Sequence, residues 1–366
     1  MRKTMLDYVV QTPSVLTENL ARSQSLAAPL IPILQQKNWR ILRLVASGSS
    51  SNAAWCARPA LRHLLGMEVL VTAPHTFAHY ENEPAEDELI MVISQSGCST
   101  NALEAVQVLR DKGHFAIGIT AKTESDMKDC CDLVVDYGCG LEDVGYVTKG
   151  VSTLALFLQL FALEGGLALG RVTAEQAQQY RDALAAAISA NEACISKTHP
   201  FIEQHYMELS SMGPTYTCGS GPCFGAALEG ALKLGETVQI PAFAYETEEY
   251  IHGPELQLSP HHTVFFLDDG GSASKRIHDL WEATCLVTHR SYLLTCCENP
   301  PEDPRVLHLS NPGNADTVPL CFLPFFQILS YRMTEDKHLW HKHPLCAKLE
   351  HKVSGKSASY VHNEVL

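Results

Sequence analysis

Apolar positions along the chain fall into short runs that alternate with longer stretches of helical spacing. Residues 41–45, 68–72, 89–93, 115–120 and 133–135 are runs of strand length, each followed by turn residues or a helical stretch. After Thr12-Pro13, residues 15–34 carry apolar side chains at helical spacing. This predicts a long amphipathic helix with Pro13 at its first position and an end near Lys37-Asn38. Further helices are expected over 52–65 and 100–110. Alternation of this kind predicts parallel sheets covered by helices. The longest apolar stretch, 151–169, is interrupted by Gln159, Glu164 and a glycine pair, and reads as a buried helix rather than a membrane span. Thr173-x-x-Gln176 has the form of a capping box. It opens an alanine-rich helix to about Ser196, taken as the connector to a second domain that starts near Pro200.

The second half echoes the first. Thr217-Cys218-Gly219-Ser220-Gly221 repeats the character of Ala46-Ser47-Gly48-Ser49-Ser50, with Ser220 standing 171 positions after Ser49. Residues 264–272 echo 92–99, with Gly270 standing 173 positions after Gly97. Two matches at nearly one offset predict a duplicated fold. The copies differ where chemistry is concerned: Leu267, Asp268 and Asp269 replace Ser94, Gln95 and Ser96.

The run Ser94-Gln95-Ser96-Gly97-Cys98-Ser99-Thr100-Asn101 follows directly on a strand. A helix beginning at Thr100 would point its unpaired backbone N–H groups into the turn where Ser94, Ser96 and Ser99 converge, giving donors and a dipole suited to a phosphate without a lysine. An ordinary helix cap is the plainer reading of such a turn. The two carboxylates of the second copy would repel a phosphate, so one phosphate site per chain is expected, in the first half.

Composition narrows the partners. The 366 residues are 46% apolar and 19% charged, enough for two domains with cores. A net charge of -14 argues against nucleic acid or an anionic membrane as partner. Thirteen cysteines without a C-x-x-C pair, and no leader-like opening, point to reduced thiols and a cytoplasmic location. Cys130-Cys131 and Cys296-Cys297 read as core or strand-end thiols.

In the second half Glu229, Lys233 and Glu236 recur at spacings of four and three, one face of a helix. A solvated face with charge pairing is the bland alternative; a half-buried carboxylate beside a lysine is a candidate general base. The acidic loop that follows ends in His252-Gly253-Pro254, a histidine placed for acid–base work near neutral pH. His338-x-x-His341-x-His343-x-x-Cys346 has tolerable metal-ligand spacing, with His261-His262 adding imidazole. Lys342 and Pro344 suggest an irregular basic loop there, and neither a metal nor a cofactor is expected.

Together the serine turn and the E-G-A-L-K-L-x-E helix resemble the sugar isomerase (SIS) family, closest to the isomerase domain of glucosamine-6-phosphate synthase and its stand-alone deaminase, deglycase and isomerase relatives. The resemblance runs from Leu6-Asp7 to Lys356-Ser357. It implies an α/β fold of two tandem SIS domains, each a parallel sheet between helices. Expected boundaries are a helical segment at 1–36, the phosphosugar-binding domain at 37–172, a connecting helix at 173–199, the second domain at 200–340 and a site-completing tail at 341–366. By resemblance Ser49, Ser50, Ser94, Gln95, Ser96 and Ser99 hold the sugar phosphate. Glu236 matches the base moving a proton between C1 and C2, with Lys233 beside it. His252 matches a ring-opening histidine that reaches in from the partner subunit, which implies a homodimer. Lys356 matches the lysine that forms a Schiff base with the ketose carbonyl.

Two departures bear on sugar selectivity: Cys98 stands where the synthase pattern is acidic, and residues 145–149 form a shorter loop. The tail runs ten residues past Lys356, through Tyr360 and His362. No glutaminase domain is expected, so the reading is a phosphosugar enzyme acting on an amino sugar phosphate or a phosphorylated sugar-amine conjugate, as deaminase, deglycase or aldose–ketose isomerase. The alternative is a non-catalytic sugar-phosphate sensor, which retention of Glu236, His252 and Lys356 disfavours.

Overall fold

Two five-stranded parallel sheets organise the chain in a computed structural model that describes residues 3–341 and 343–361. Lys342 and His362 lie outside the described residues. The first sheet comprises β1 (Ile41–Val45), β2 (Glu68–Thr72), β3 (Glu88–Ile93), β4 (Ile117–Thr120) and β5 (Leu133–Asp136), in the order β2-β1-β3-β4-β5. The second comprises β6 (Thr215–Gly219), β7 (Ala242–Tyr245), β8 (Thr263–Asp268), β9 (Ser291–Thr295) and β10 (Val306–His308), in the order β7-β6-β8-β9-β10. The orders are identical once the copies are superposed in sequence, so the duplication holds at the level of topology. In each sheet the connections reverse direction between the first strand and the third. The loops after β1 and β3, and those after β6 and β8, therefore open side by side at the carboxyl edge, where such sheets take ligands.

The helices are α1 (Met5–Ala21), α2 (Ser23–Ala27), α3 (Ile31–Leu34), α4 (Ser49–Leu65), α5 (Pro74–Tyr80), α6 (Thr100–Asp111), α7 (Met127–Cys130), α8 (Lys149–Ala168), α9 (Ala174–Gln204), α10 (Tyr206–Ser210), α11 (Cys223–Lys233), α12 (Ser274–Cys285), α13 (Pro319–Asp336) and α14 (Pro344–Lys352). Two compact units result. One contains Glu18–Ala54, Ala60–Ala177 and His341–Leu366, with the first sheet; the other contains Met1–Thr17, Trp55–Pro59 and Gln178–Trp340, with the second.

In the first unit β3 is buried along all six residues, as a central parallel strand covered on both faces must be. Val45, Ile90 and Val92 of the sheet pack with Ala102, Ala105, Val106 and Leu109 of α6. Helix α8 is the helix among the described residues long and apolar enough to cross a membrane, and it is buried from Lys149 to Gly166. It packs against α2 and α3, and Ser23 donates to its buried Glu164 at 2.6 Å. In the second unit Tyr216, Val264, Phe266 and Leu293 of the sheet pack with Ile277, Leu280 and Trp281 of α12.

Three expectations about helix ends are corrected. Pro13 lies inside α1, not at its start. The start is Met5, where Thr4 and Asp7 bond reciprocally, Thr4 N to Asp7 Oδ2 at 2.7 Å and Asp7 N to Thr4 Oγ1 at 3.3 Å. Burial of Tyr8, Val9 and Leu16 offsets the bond that Pro13 cannot make. The single long helix to residue 34 is three, with Pro32 in the first turn of α3. Helix α9 opens on the expected box, Thr173 N to Gln176 Oε1 at 2.9 Å and Gln176 N to Thr173 Oγ1 at 3.2 Å. It then runs through Pro200 to Gln204, because Phe201 and Ile202 are buried beyond the proline.

Helix α11 lies close on α13 because Gly230 has no side chain: a Cβ there would stand 2.8 Å from the Phe326 ring. Gly230→Ala is expected to destabilise the protein by about 1 to 3 kcal/mol through overpacking, read by urea unfolding.

Candidate active site

The serine turn is built around Gly97, whose φ of +65° suits glycine. A Cβ there would also fall 1.7 Å from Ser125 Oγ. Gly97 N donates to Ser94 O at 3.0 Å, which folds the turn back over the end of β3. Ser94 Oγ then donates to Ser99 Oγ at 3.1 Å, and Cys98 N donates to Ser96 Oγ at 3.3 Å, so the three hydroxyls share one concavity at the start of α6. The neighbouring turn after β1 places Ser49 and Ser50 in the first turn of α4 instead of the loop before it, with Gly48 at the cap in a positive-φ conformation. Asn101 Nδ2 donates to Ser47 Oγ at 2.9 Å and ties the two turns together.

Gln95 does not face the same way as its serine neighbours. Its amide donates to Glu142 Oε2 at 2.5 Å. Glu142 is buried and also accepts from the backbone N–H groups of Thr148, Lys149 and Gly150, at 3.0, 2.5 and 3.0 Å, capping α8. Burial pushes the Glu142 carboxyl up, opposed by the bonds from Gln95 and the three amides.

The tail brings a lysine to the turn, which corrects the expectation of a phosphate cradle without one. Lys356 Nζ donates to Ser96 Oγ and to Ser99 Oγ, both at 3.0 Å. The backbone fixes its register: Ser99 and Lys356 form an antiparallel bridge, Thr100 N donates to Gly355 O at 3.2 Å, and Ser357 N donates to Cys98 O at 2.9 Å. The first amide of α6 is thereby covered by the tail rather than left open. Burial pushes the Lys356 amine below the usual lysine range.

In the second unit the three charged residues meet as the spacing predicts, with one change of geometry. The α-helix stops at Lys233, and Leu234–Val238 continue as a π-helical turn ending on Gln239 at a φ of 60°. Such turns concentrate at functional sites because they re-aim one side chain. Lys233 is fully buried, 3.1 Å from Glu229 Oε1, and its ammonium also bonds Glu236. Burial alone would push Lys233 down, but the two carboxylates more than reverse this and hold its pKa well above the usual value. Lys233 is thus a permanent cation here. Glu229 is buried, whereas the Glu236 side chain keeps 27% exposure, so of the two carboxylates Glu236 is the one open to a reactant. His252 is exposed at the end of a 3-10 turn, followed by Gly253 at a φ of 135°.

Residues 33–163 match the SIS domain family. The first unit carries a SIS domain. Curated relatives are the glutamine–fructose-6-phosphate aminotransferases of Pyrobaculum aerophilum, 28% identical over 66% of this chain and 40% of theirs, and of Pseudomonas aeruginosa, 30% identical over 69% and 42%. The chain thus spans less than half the length of these relatives. A candidate phosphosugar isomerase of Clostridium difficile 630 superposes with a TM-score of 0.87 at 23% identity, covering 97% of this chain and 99% of that one. The C-terminal domain of the Francisella tularensis glucosamine-fructose-6-phosphate aminotransferase gives 0.83 at 20% identity, covering 94% and 99%. The fold, two five-stranded parallel sheets flanked by helices, is the one these structures share.

Within the SIS unit the structure brings Ser94, Ser96, Ser99 and Lys356 into one hydrogen-bonded group. Glu142 escaped the sequence reading, since it stands seven residues before α8, beside a second acid, Asp143, and no local pattern ties it to the helix start. Among the described residues, the histidine, cysteine and carboxylate groups that converge are His75, His79 and Glu104, and Asp268, His278 and Cys297. Pro344 opens α14 and His343 Nδ1 accepts from Leu345 N at 3.2 Å as its cap.

Removing the buried cation leaves Glu229 and Glu236 facing one another. Lys233→Met is expected to lose about 3 to 5 kcal/mol of stability at neutral pH. Chemical denaturation of wild type and variant reads the loss.

Proposed function

We propose that the chain is an enzyme that grips a hexose 6-phosphate-type ester in the turn Ser94–Ser99 and carries out proton transfer, and in amino-sugar or sugar-amine substrates C–N cleavage, with Glu236 as base. The observation that carries this reading is the amine of Lys356 seated between the Ser96 and Ser99 hydroxyls. An anion in that turn meets hydroxyl donors at the start of α6, with the Lys356 amine beside them. The SIS-domain match over residues 33–163 and the printed activities of similar proteins support a phosphosugar as the ligand class: the Thermotoga maritima protein that superposes with a TM-score of 0.67 at 22% identity is named a glucosamine-6-phosphate deaminase.

The chemistry follows from the groups. Phosphate binding positions the substrate by an end that does not react, so its binding energy goes into orientation. When an ester takes over the Ser96 and Ser99 hydroxyls, the Lys356 amine is freed to condense with a ketose carbonyl, expelling water and giving an imine. In the direction of C–N cleavage, a carboxylate such as Glu236 removes the C2 proton of the open-chain amino sugar and returns it at C1, giving a ketimine. The Lys356 amine displaces its nitrogen as ammonia or amine, and water hydrolyses the lysine imine to release the ketose and regenerate Lys356. Lys233, locked as a cation, takes no part as a nucleophile. Gln95 adds an amide whose orientation Glu142 sets.

Incubation with hexose 6-phosphates, hexosamine 6-phosphates and phosphorylated glycated amino acids, monitored for ammonia, free amino acid and ketose, tests the reading. Glu236→Gln is expected to bind substrate and fail to turn it over; an unchanged rate rules out the proposed base. Ser96→Ala is expected to weaken phosphate-ester binding by about 1 to 3 kcal/mol, measured by calorimetry. Borohydride trapping of a ketose phosphate on Lys356 is expected to rise with pH and reach half its maximum below the ordinary lysine value of 10.5, because burial favours the neutral amine.

A further inference from the structure

In the second unit the turn after β8 stands where the first unit has its serine turn, and its chemistry is inverted. Asp268, at the end of β8, is fully buried. Its Oδ1 accepts from Ser274 Oγ at 2.6 Å and Gly270 N at 3.0 Å, and its Oδ2 accepts from Thr295 Oγ1 at 2.7 Å. The remaining partner of Oδ2 is His278 Nε2 of α12, at 2.9 Å. Cys297, buried just beyond β9, completes a group in which one ligand atom each of Asp268, His278 and Cys297 lies within 4.8 Å of the others. His278 and Cys297 face a cavity of about 560 Å³ whose wall also carries Asp279, Glu282 and Glu298 against the single cation Lys275.

We infer that Asp268, His278 and Cys297 form a divalent-cation site of the zinc class, opening on this cavity. The donor set is one carboxylate oxygen, one imidazole nitrogen and one thiolate sulfur, which selects borderline-soft ions such as Zn²⁺ over Mg²⁺ or Ca²⁺. Zinc bonds of about 2.0 to 2.3 Å set ligand atoms about 3 to 4 Å apart, so the widest pair has to close by about 1 to 2 Å. The ion displaces the proton of the Cys297 thiol to solvent, while the Nε2 proton of a neutral His278 ring moves to Nδ1 and leaves Nε2 free to bind. Thr295, Ser274 and the Gly270 amide already hold the carboxylate in position, as outer groups do around metal ligands. Three protein ligands leave a fourth position facing the cavity, and the acidic wall favours a cation. The site does not rest on the sugar-phosphate reading.

The test is titration of the chelator-treated full chain with Co²⁺ and with Zn²⁺. Wild type is expected to bind one Co²⁺ per chain with a near-ultraviolet thiolate-to-cobalt band, to lose the band when Zn²⁺ is added, and to release the thiol proton on binding, read in buffered calorimetry. Cys297→Ser is expected to abolish the band, and His278→Gln to weaken binding by more than the outer-group variant Thr295→Val, for which a loss of about 10- to 100-fold is expected. Circular dichroism checks that each variant is folded, and Thr295→Val keeps the test open if either ligand variant is not. Absence of a band in the wild type, a band retained in Cys297→Ser, or affinity unchanged in Thr295→Val overturns the proposal.

Discussion

The turn at Gly97 is the constraint on which the first unit's chemistry depends. Its positive φ and the Ser125 hydroxyl beside it leave no room for a side chain, and only with that turn closed do the hydroxyls of Ser94, Ser96 and Ser99 converge at the start of α6. The topology supplies the place, because the strand order reverses between β1 and β3 and leaves their following loops adjacent. The tail supplies the charge. A lysine whose neighbours are hydroxyls instead of carboxylates keeps its reactivity, which burial raises further.

The second unit handles buried charge in the opposite way. Lys233 is enclosed between Glu229 and Glu236, and the arrangement is stable only as a set: each carboxylate justifies the buried ammonium, and the ammonium allows two carboxylates within reach of one another. Glu236 lies in the π turn that follows and stays partly open while Glu229 remains enclosed, so about two helical turns separate a structural carboxylate from an accessible one. Two lysines, one starved of anions and one saturated with them, are thereby committed to different chemistry by their surroundings alone.

Duplication gave both units the same strand order and left the turns free to diverge. After β3 the positions hold hydroxyls and an amide; after β8 they hold a buried aspartate tied to a histidine. A turn that opens beside a helix start is a ready anion site unless a carboxylate occupies it, and Asp268 does so by taking the bonds of Ser274 and Gly270 for itself. The same backbone therefore offers opposite charge preferences in its two copies.

What the sequence determined by itself is whatever depends on neighbours a few residues apart. The strand runs, the capping box at Thr173, the repeat, the serine turn and the Glu229-Lys233-Glu236 spacing are all local, and each was legible because backbone geometry converts short spacing into position. Helix ends were less legible: Pro13 and Pro200 are tolerated inside helices because buried side chains on either side offset a missing bond, and burial is not written locally. Only the tertiary structure decided that Lys356 reaches Ser96 across 260 positions, that Glu142 holds Gln95 across 47, and that Cys297 comes to the Asp268–His278 pair. Contacts of that range are set by how strands order in a sheet and where a tail returns to it, and no pattern within a window of sequence encodes either.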